Sequence, residues 1–209
     1  MAEDVFIVDA GGRPVSGDAK TLRRTIRESR RATPASERIS AAERLAERLL
    51  ALPFAPDSGH VAGYWAVDGE IGLHVWQLRL PPNLTYCLPV LHGDVLRFAA
   101  WRPGAALVSN RYGIPEPDVA PEDLLAATDM ALVVAPVVAF DDRCHRLGMG
   151  AGWYDRSFAS RRSRAAPPWL AGAAFASQQV DAIAAEPWDV PMDAVCTEGD
   201  TFLAPTDTE

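Results

Sequence analysis

The spacing of apolar residues divides the chain into helical and extended segments. Apolar side chains recur every three to four residues between Pro34 and Pro53, which predicts a helix that begins at the first of these prolines and ends before the second. An earlier helix is predicted from a cap at Asp18 to about residue 31. Short apolar runs predict β-strands at residues 61–65, 85–91, 96–101, 130–140, 170–176 and 194–197. Helical or irregular pieces separate most of them, at residues 71–80, 122–127, 153–161 and 178–184.

This alternation of strands and helices is typical of an α/β protein. We predict a single domain with a largely parallel, mixed central sheet covered by helices, in a Rossmann-like three-layer arrangement. The strand at residues 96–101 follows the strand before it too closely for a helical crossover, so it is expected to be antiparallel. The domain is predicted to span residues 18–204, after a flexible leader at residues 1–17 and before a frayed tail at residues 205–209.

Charge and cysteine content exclude several classes of protein. The formal net charge is −8 and the isoelectric point is near 5.0, which argues against a general binder of nucleic acid or of anionic membranes. The three cysteines are far apart and form no CxxC pair, which favours a reducing compartment and no zinc cluster. No targeting or membrane-spanning segment is evident in the sequence. We expect a cytoplasmic monomer whose partners are small molecules.

The segment at residues 139–155 carries the strongest indication of chemistry. A long apolar run ends at Phe140, and a polar loop then leads to glycines at every second position, Gly148, Gly150 and Gly152. Glycines at this spacing allow a tight turn whose bare N–H groups face an anion such as a phosphate. A tight strand-to-helix turn without any ligand explains the same glycines.

Charged residues lie on both sides of these glycines. Arg146 precedes them and Asp155 follows them, an arrangement that suits nucleotide phosphates together with Mg²⁺. Two standard nucleotide motifs are excluded, because GxGxxG fails at Trp153 and GK[ST] occurs nowhere in the chain.

Other candidate residues also allow two interpretations. The first helix carries a basic stripe that is either a solvated face or an anion-binding face, formed by Lys20, Arg24, Arg27 and Arg31. Trp65 and Glu70 flank a turn at the end of a strand. They are either a core aromatic and a helix-start carboxylate, or ligands of a flat ring with several N–H donors. Asp189, in the sequence WDVP, is a turn residue on its sequence alone.

A resemblance to a known family decides between these interpretations. The chain carries RLGMGAGWYDR at residues 146–156, which closely resembles the RLGxGxGxYDR signature of the 5-formyltetrahydrofolate cyclo-ligase family, also called 5,10-methenyltetrahydrofolate synthetase. Further segments follow in the family's order, among them GYWAVDGEI at residues 63–71, YGIPEP at 112–117 and EPWDVPMDAVCTE at 186–198. The resemblance covers about residues 18–203.

The resemblance implies an ATP- and Mg²⁺-dependent ligase that converts 5-formyltetrahydrofolate to 5,10-methenyltetrahydrofolate and releases ADP and phosphate. In the implied mechanism the formyl oxygen attacks the γ-phosphate. The folate N10 then attacks the activated carbon, and phosphate leaves. Such chemistry needs no protein nucleophile, and the chain accordingly has no GxSxG motif.

The resemblance also assigns roles to individual positions. Catalysis by charge neutralisation is assigned to Lys20, Arg24 and Arg146, and Mg²⁺ to Asp155 and Asp189. ATP is assigned to Lys20, Arg24, Arg146, Leu147, Gly148, Met149, Gly150, Ala151, Gly152, Trp153 and Tyr154. The reduced folate is assigned to Arg24, Trp65, Glu70, Met149 and Trp153. No role is assigned to Arg27, Arg30 and Arg31, which are expected at the surface.

The chain departs from the family's pattern at several positions. Ala151 stands where a glycine or lysine is often found, and Trp153 stands at a usual tyrosine or phenylalanine position. Cys144 and His145 replace a common Gly-Asn pair. None of these changes removes a charged ligand. They leave two alternatives open, a non-catalytic paralogue that binds folate or nucleotide, and another enzyme for phosphorylated ligands on a related α/β fold.

Overall fold

The structure, a computed structural model, describes residues 19–205. The predicted leader, the predicted cap at Asp18 and residues 206–209 of the predicted tail lie outside the described residues. The α-helices are α1 (Ala19–Ala32), α2 (Ala35–Leu50), α3 (His74–Arg79) and α4 (Trp153–Ser157). Short 3₁₀ helices occur at Pro121–Asp123, Ala127–Asp129, Ala159–Arg162 and Ala176–Gln178. No helix between residues 19 and 205 is long and apolar enough to cross a membrane.

The strands are β1 (Gly59–Ala62), β2 (Leu84–His92), β3 (Val95–Ala100), β4 (Leu107–Ser109), β5 (Pro115–Pro117), β6 (Met130–Pro136), β7 (Ala139–Phe140), β8 (Arg146–Leu147), β9 (Trp169–Ala173), β10 (Ala194–Cys196) and β11 (Thr201–Leu203).

A seven-stranded sheet forms the centre of the domain, in the order β11-β10-β9-β6-β1-β2-β3. The five central strands are parallel, and β3 and β11 pair antiparallel at the two edges. The predicted mixed sheet and its antiparallel strand near residues 96–101 are thus confirmed. From β1 the chain runs outward to β2 and β3, and it then returns to β6 on the other side of β1. At such a reversal of strand order, the loops after neighbouring strands open a crevice for ligands.

Apolar side chains cover both faces of the sheet. On one face, Leu45 of α2 and Trp76 of α3 pack against sheet residues that include Val61. On the other face, Phe158, which follows α4, packs with Val133 of β6. Successive residues of a strand point to opposite faces, so the parallel strands contribute to both layers. The helices on the two sides and the sheet between them form the predicted three layers.

Helix α1 packs apart from these two clusters. Its buried residues Ala19 and Ile26 belong to a small apolar cluster with Leu147 of β8 and Ile183. This contact sets α1 beside the segment that leads into the glycines.

The long apolar run at residues 130–140 forms two strands and not one. Strand β6 ends at Pro136, and β7 then pairs with β8 in a separate antiparallel hairpin. The hairpin is closed by a hydrogen bond from the Val138 N–H to the Leu147 carbonyl oxygen, at 2.8 Å. Apolar periodicity does not reveal this break, because both parts of the run are largely buried.

Two of the predicted helical or irregular pieces, residues 122–127 and 178–184, are largely irregular. The backbone of Leu125 exchanges hydrogen bonds with Phe98 at 2.7 and 3.0 Å, and the Val180 N–H donates to the Phe140 carbonyl oxygen at 2.8 Å. These pairings with neighbouring strands hold both segments extended. Strand β11 and the β4–β5 hairpin are absent from the predicted elements, because three-residue strands carry too little periodicity.

Gly63, directly after β1, has no room for a side chain. A Cβ there would lie 2.2 Å from the Tyr86 hydroxyl and 2.9 Å from Leu73 Cδ1. We predict that Gly63→Ala lowers the free energy of unfolding by about 1–3 kcal/mol, the usual cost of overpacking, as measured by chemical denaturation. In a Tyr86→Phe background the closest atom is gone, so the same substitution is expected to cost less. An equal cost in both backgrounds would show that the tyrosine hydroxyl is not the obstacle.

Candidate functional site

The glycine loop, residues 148–152, connects β8 to α4. Gly150 and Gly152 have φ angles of 90° and 65°, a left-handed conformation that other residues rarely adopt. A Cβ at Gly148 would meet no atom within 4 Å, so the space beside it is open. Within the described part of the chain, no backbone N–H of the loop donates to a protein acceptor. The loop therefore presents unpaired N–H donors, as a phosphate cradle requires.

Two arginines bind carbonyl oxygens of the glycine loop. Arg23 of α1 donates from Nε to the Gly148 carbonyl oxygen at 2.8 Å, and Arg156 of α4 donates from Nη1 to the Ala151 carbonyl oxygen at 2.8 Å. These bonds fix two peptide groups of the loop before any ligand binds. Helix α4 is only five residues long, so its dipole adds less than that of a longer helix. Attraction for an anion would rest mainly on the N–H groups and nearby cations.

Arg146 and Asp155, the residues that flank the glycines, bind each other. Arg146 Nη2 lies 2.5 Å from Asp155 Oδ1, and Arg146 Nη1 donates to the Val190 carbonyl oxygen. The Val190 N–H donates to the same Asp155 oxygen at 3.1 Å. Arg146 thus joins β8, α4 and the segment around Val190, in addition to the charge that it brings to the loop.

Asp189 lies in a tight turn beside Val190. Its Oδ2 accepts a hydrogen bond from the Glu186 N–H at 2.9 Å, which agrees with a turn residue. The bond from Val190 to Asp155 brings this turn against α4, so the two predicted magnesium ligands lie in one region. Both bonds that Asp155 accepts from residues 19–205 go to Oδ1, which leaves capacity at Oδ2.

This pair fits a particular kind of metal binding. Between residues 19 and 205 there is no group of three or more His, Cys, Asp or Glu residues that could hold a metal ion. Mg²⁺ commonly takes one or two carboxylates and completes its shell with phosphate oxygens and water. The residues present therefore fit an ion that arrives with nucleotide phosphates, and they do not form a separate protein-only metal site.

Arginines of α1 fix the turn that follows β1. Asp68 accepts hydrogen bonds from Arg27 Nε at 2.5 Å, from Arg30 Nη2 at 3.3 Å and from Arg31 Nε. Gly69 lies so close to α1 that a Cβ would be 3.0 Å from the Arg30 carbonyl oxygen. The prediction that all three arginines belong to the surface is wrong for Arg30, whose side chain is 1% exposed because the turn covers it.

Glu70 is held in the same turn. Its Oε2 accepts a hydrogen bond from the Val67 N–H at 3.0 Å, and its Oε1 lies 3.7 Å from Arg30 Nη2. Burial raises the pKa of Glu70, although the Val67 bond and the charge of Arg30 act in the opposite direction. Glu70 does not start a helix, since α3 begins at His74. A buried carboxylate with remaining lone pairs is suited to accept N–H donors from a ligand.

Two tyrosines of this region, Tyr64 and Tyr154, have raised pKa values. Burial raises the pKa of Tyr154 in α4; the charge of Glu70 raises it further, and that of Arg146 lowers it. Burial also raises the pKa of Tyr64, with further contributions from Glu70 and Tyr154. The geometric link between the two segments is helix α1, since Arg23 binds the Gly148 carbonyl oxygen and Arg30 lies 3.7 Å from Glu70.

Aromatic side chains of the site pack mainly with one another. Trp65 contacts Trp101 edge to face, with ring centroids 5.7 Å apart. The Trp153 ring lies 6.4 Å from that of Tyr112, and the Arg111 guanidinium is 5.0 Å from the Trp153 ring centroid. The indole Nε1 of Trp153 is buried and has no acceptor among the described residues. Such surfaces suit a flat ring ligand.

Three further predicted nucleotide ligands, Lys20, Arg24 and Met149, are exposed, whereas Leu147 is buried. Lys20 and Arg24 lie on α1, and neither makes a described contact with the glycine loop. Met149 is 52% exposed within the loop. Arg23 and not Arg24 is the α1 residue that reaches the loop in the part of the chain described here.

A buried carboxylate organises the turn before the glycines. Asp141 is 1% exposed and accepts hydrogen bonds from the backbone of Arg143, His145 and Ile183, and its Oδ2 lies 3.0 Å from His145 Nδ1. Cys144 has a positive φ of 64°, a conformation that glycine adopts more readily. Burial raises the pKa of its thiol to about 12, so it is an unreactive thiol.

Sequence reasoning missed Arg23 and Arg30 as site residues. The predicted basic stripe of Lys20, Arg24, Arg27 and Arg31 lies toward the solvent side of α1. The buried side is marked by Ile26, and Arg23 and Arg30 lie three positions before and four positions after it. Taking the apolar residues as the guide would have placed both arginines toward the interior.

These features define a class of protein. The fold is an α/β domain in which one helix, α1, binds both a glycine loop with free N–H groups and the turn of a largely buried carboxylate, beside the point where the strand order reverses. A site of this kind suits a phosphorylated nucleotide together with a second, ring-shaped ligand.

The chain belongs to the 5-formyltetrahydrofolate cyclo-ligase family, which it matches over residues 15–198. It is 34% identical to the 5-formyltetrahydrofolate cyclo-ligase of Escherichia coli over 178 residues, 82% of this chain and 96% of that protein. The cyclo-ligase of Haemophilus influenzae is 31% identical over 175 residues, 82% of this chain and 92% of that protein. The solved structure of a 5,10-methenyltetrahydrofolate synthetase from Aquifex aeolicus is similar with a TM-score of 0.77 and 26% identity, covering 91% of this chain and 95% of that one.

The Asp68 cluster is expected to make stability depend on pH. Burial raises the pKa of Asp68, but hydrogen bonds and charges from Arg27 and Arg31 outweigh burial and hold it below its ordinary value of 3.8. A carboxyl whose folded-state pKa is lowered stabilises the fold above its unfolded pKa, and this contribution is lost as pH falls through the folded pKa. We predict that Asp68→Asn lowers the melting temperature by several degrees at pH 7 and by much less below about pH 3.

The control for this measurement is Asp181→Asn, which changes an exposed aspartate. Asparagine tolerates the left-handed backbone of Asp68, whose φ is 54°, so the substitution isolates the charge. An equal loss of melting temperature at both pH values would contradict the assignment.

Proposed function

We propose that this protein converts 5-formyltetrahydrofolate to 5,10-methenyltetrahydrofolate and consumes ATP, with ADP and phosphate as products. The observation that carries the proposal is the attachment of α1 to both segments: Arg23 binds the Gly148 carbonyl oxygen of the glycine loop, and Arg30 lies 3.7 Å from the expected folate residue Glu70. Membership of the cyclo-ligase family supports the same reaction.

The triphosphate is proposed to bind the free N–H groups of residues 148–152. Arg146 and Lys20 would neutralise its charge, together with Arg23, which reaches the loop, whereas Arg24 makes no described contact with the loop. Leu147, Trp153 and Tyr154 would border the nucleotide at the two ends of the loop. Positioning and charge neutralisation of this kind account for most catalysis of phosphoryl transfer.

The reduced folate is proposed to bind against Glu70, whose carboxylate would accept the N–H donors of the pterin. Trp65, Trp153 and Met149 would offer apolar surface to its rings. With the γ-phosphate on the glycine loop and the pterin on Glu70, the formyl oxygen would attack phosphorus and displace ADP. The folate N10 would then attack the activated formyl carbon and lose its proton to solvent, and phosphate would leave with the former formyl oxygen. No protein side chain forms a covalent bond in either step.

Asp155, through Oδ2, and Asp189 are the residues proposed to hold Mg²⁺. The bound ion would neutralise phosphate oxygens during transfer. The bond between Arg146 and Asp155 presets the position of this carboxylate before ligands bind. The expectations of a cytoplasmic location and of a monomer stay predictions.

The direct test is the absorbance of the methenyl product after the protein is mixed with ATP, Mg²⁺ and 5-formyltetrahydrofolate. Product that forms only when all three are present would support the proposal. Tight binding of folate and ATP without turnover would instead favour the non-catalytic paralogue. Binding of neither ligand would favour a different phosphorylated substrate.

Neighbouring arginines on α1 give a matched pair for the nucleotide site. Arg23→Met is expected to weaken ATP binding about tenfold, because a cation and a tether of the glycine loop are both lost. Arg24→Met removes the same charge from an exposed position and is expected to change affinity by less than about twofold. Calorimetric titration with ATP in the absence of folate measures both. A larger loss of ATP affinity in Arg24→Met than in Arg23→Met would show that Arg24 is the arginine of α1 that binds the nucleotide.

The assignment of Asp155 and Asp189 to Mg²⁺ predicts a metal-dependent defect. Asp155→Asn and Asp189→Asn should each require much more Mg²⁺ for half-maximal activity, and saturating metal should restore a good part of kcat, because phosphate and water supply the other ligands. A general base would behave differently, since metal cannot replace a proton acceptor. A titration of both variants with Mg²⁺ decides the matter. A collapsed kcat with an unchanged Mg²⁺ midpoint is the contrary result.

A further inference from the structure

Arg30 is a buried arginine on a helix that is otherwise largely solvated. Its side chain is 1% exposed, whereas those of Arg27 and Arg31 are 33% and 55% exposed. A buried guanidinium loses much of its hydration, so its position requires close acceptors. Those acceptors are provided by one turn, the turn between β1 and α3.

The guanidinium of Arg30 reaches both carboxylates of that turn. Its Nε donates to the Asp68 carbonyl oxygen at 3.0 Å, and its Nη2 lies 3.3 Å from Asp68 Oδ2 and 3.7 Å from Glu70 Oε1. Arg27 and Arg31 bind Asp68 as well, through Nε in each case, but neither forms an ion pair with Glu70 in the described structure. Arg30 is thus distinguished from its neighbours by its contact with Glu70.

The ionised form of Glu70 is favoured by the Val67 N–H, and by the charges of Arg30 and Arg27 on α1. The Val67 N–H binds Oε2, and the side chain is 9% exposed. The described ionisable groups around it are Arg27 and Arg30 from α1, Asp68 from the turn, Tyr64 after β1 and Tyr154 from α4, and Arg38 of α2 and His74 of α3 line the same cavity as Glu70. Among the cations of the described chain, Arg30 is the one that forms an ion pair with Glu70. Burial raises the pKa of Glu70, and the charge of Arg30 opposes that rise.

We propose that Arg30 is a positioning residue for folate recognition: it holds the Glu70 carboxylate in place and keeps it ionised, so that Glu70 accepts N–H donors from the pterin. This inference rests on the proposed function, in which Glu70 binds the folate. Arg30 itself does not touch the substrate.

The test compares Arg30→Met with Arg31→Met in steady-state kinetics over a range of pH. Arg30→Met is expected to raise the KM for 5-formyltetrahydrofolate about tenfold at pH 7, with little change in kcat or in the KM for ATP. Its acid limb of kcat/KM for the folate is expected to move to higher pH, because Glu70 now protonates more readily. Arg30→Lys keeps the charge and is expected to retain an acid limb close to that of the unchanged protein. Arg31→Met, which also loses a bond to Asp68, is expected to leave the limb in place.

A second variant covers the case in which Arg30→Met leaves Glu70 as an unpaired buried charge and does not fold. The variant Arg30→Met/Glu70→Gln carries no such charge. If Arg30 acts through Glu70, its folate KM should agree within about twofold with that of Glu70→Gln alone. A further severalfold rise, or an unmoved acid limb in folded Arg30→Met, overturns the inference.

These outcomes are separable from failure of the proposed function. A protein without turnover, or a Glu70→Gln variant with an unchanged folate KM, refutes the proposed function or the role of Glu70. A raised folate KM in Glu70→Gln, combined with an unaltered pH profile in Arg30→Met, refutes only the role of Arg30.

Discussion

The site depends on the attachment of helix α1 to two loops at the carboxyl edge of the sheet. Arg23 binds the glycine loop through the Gly148 carbonyl oxygen, and Arg30 binds the turn that carries Asp68 and Glu70. The two arginines are seven positions apart, so the helix spans about 10 Å between the loops. A single rigid element therefore sets the distance between the phosphate cradle and the buried carboxylate. Because two ligands must react with each other, that distance is the main geometric requirement of the chemistry.

Carboxylates complete the organisation of the surrounding loops. Asp141 closes the turn before the glycines, and Asp155 joins α4 to the segment around Val190. Glu116 anchors the β4–β5 hairpin through the Leu91 N–H at 3.2 Å and Asn110 Nδ2 at 3.1 Å. Each of these groups has its partners within the protein, so the loops are fixed before ligands bind. A site built in this way loses little freedom on binding.

The fold was accessible from the sequence because buried parallel strands and an amphipathic helix leave clear periodicities. That the glycine loop and Glu70 serve one site was predicted only through the resemblance, since the two segments are far apart in the chain. Arg30 shows the limit of pattern analysis. An arginine on a helix is usually solvated, and only the approach of the Asp68 turn, which is a tertiary contact, reverses that expectation. The break at Pro136 was hidden for a similar reason, because both halves of the apolar run are largely buried.

The central claim is that the glycine loop and the Glu70 turn, joined by α1, form one site for two ligands. A crystal structure with a non-hydrolysable ATP analogue and 5-formyltetrahydrofolate tests this most directly. We expect phosphate oxygens within hydrogen-bonding distance of the N–H groups of residues 148–152, and pterin N–H groups on the Glu70 carboxylate. The formyl oxygen should face the γ-phosphate. A nucleotide bound away from the glycine loop, or a pterin bound away from Glu70, would contradict it.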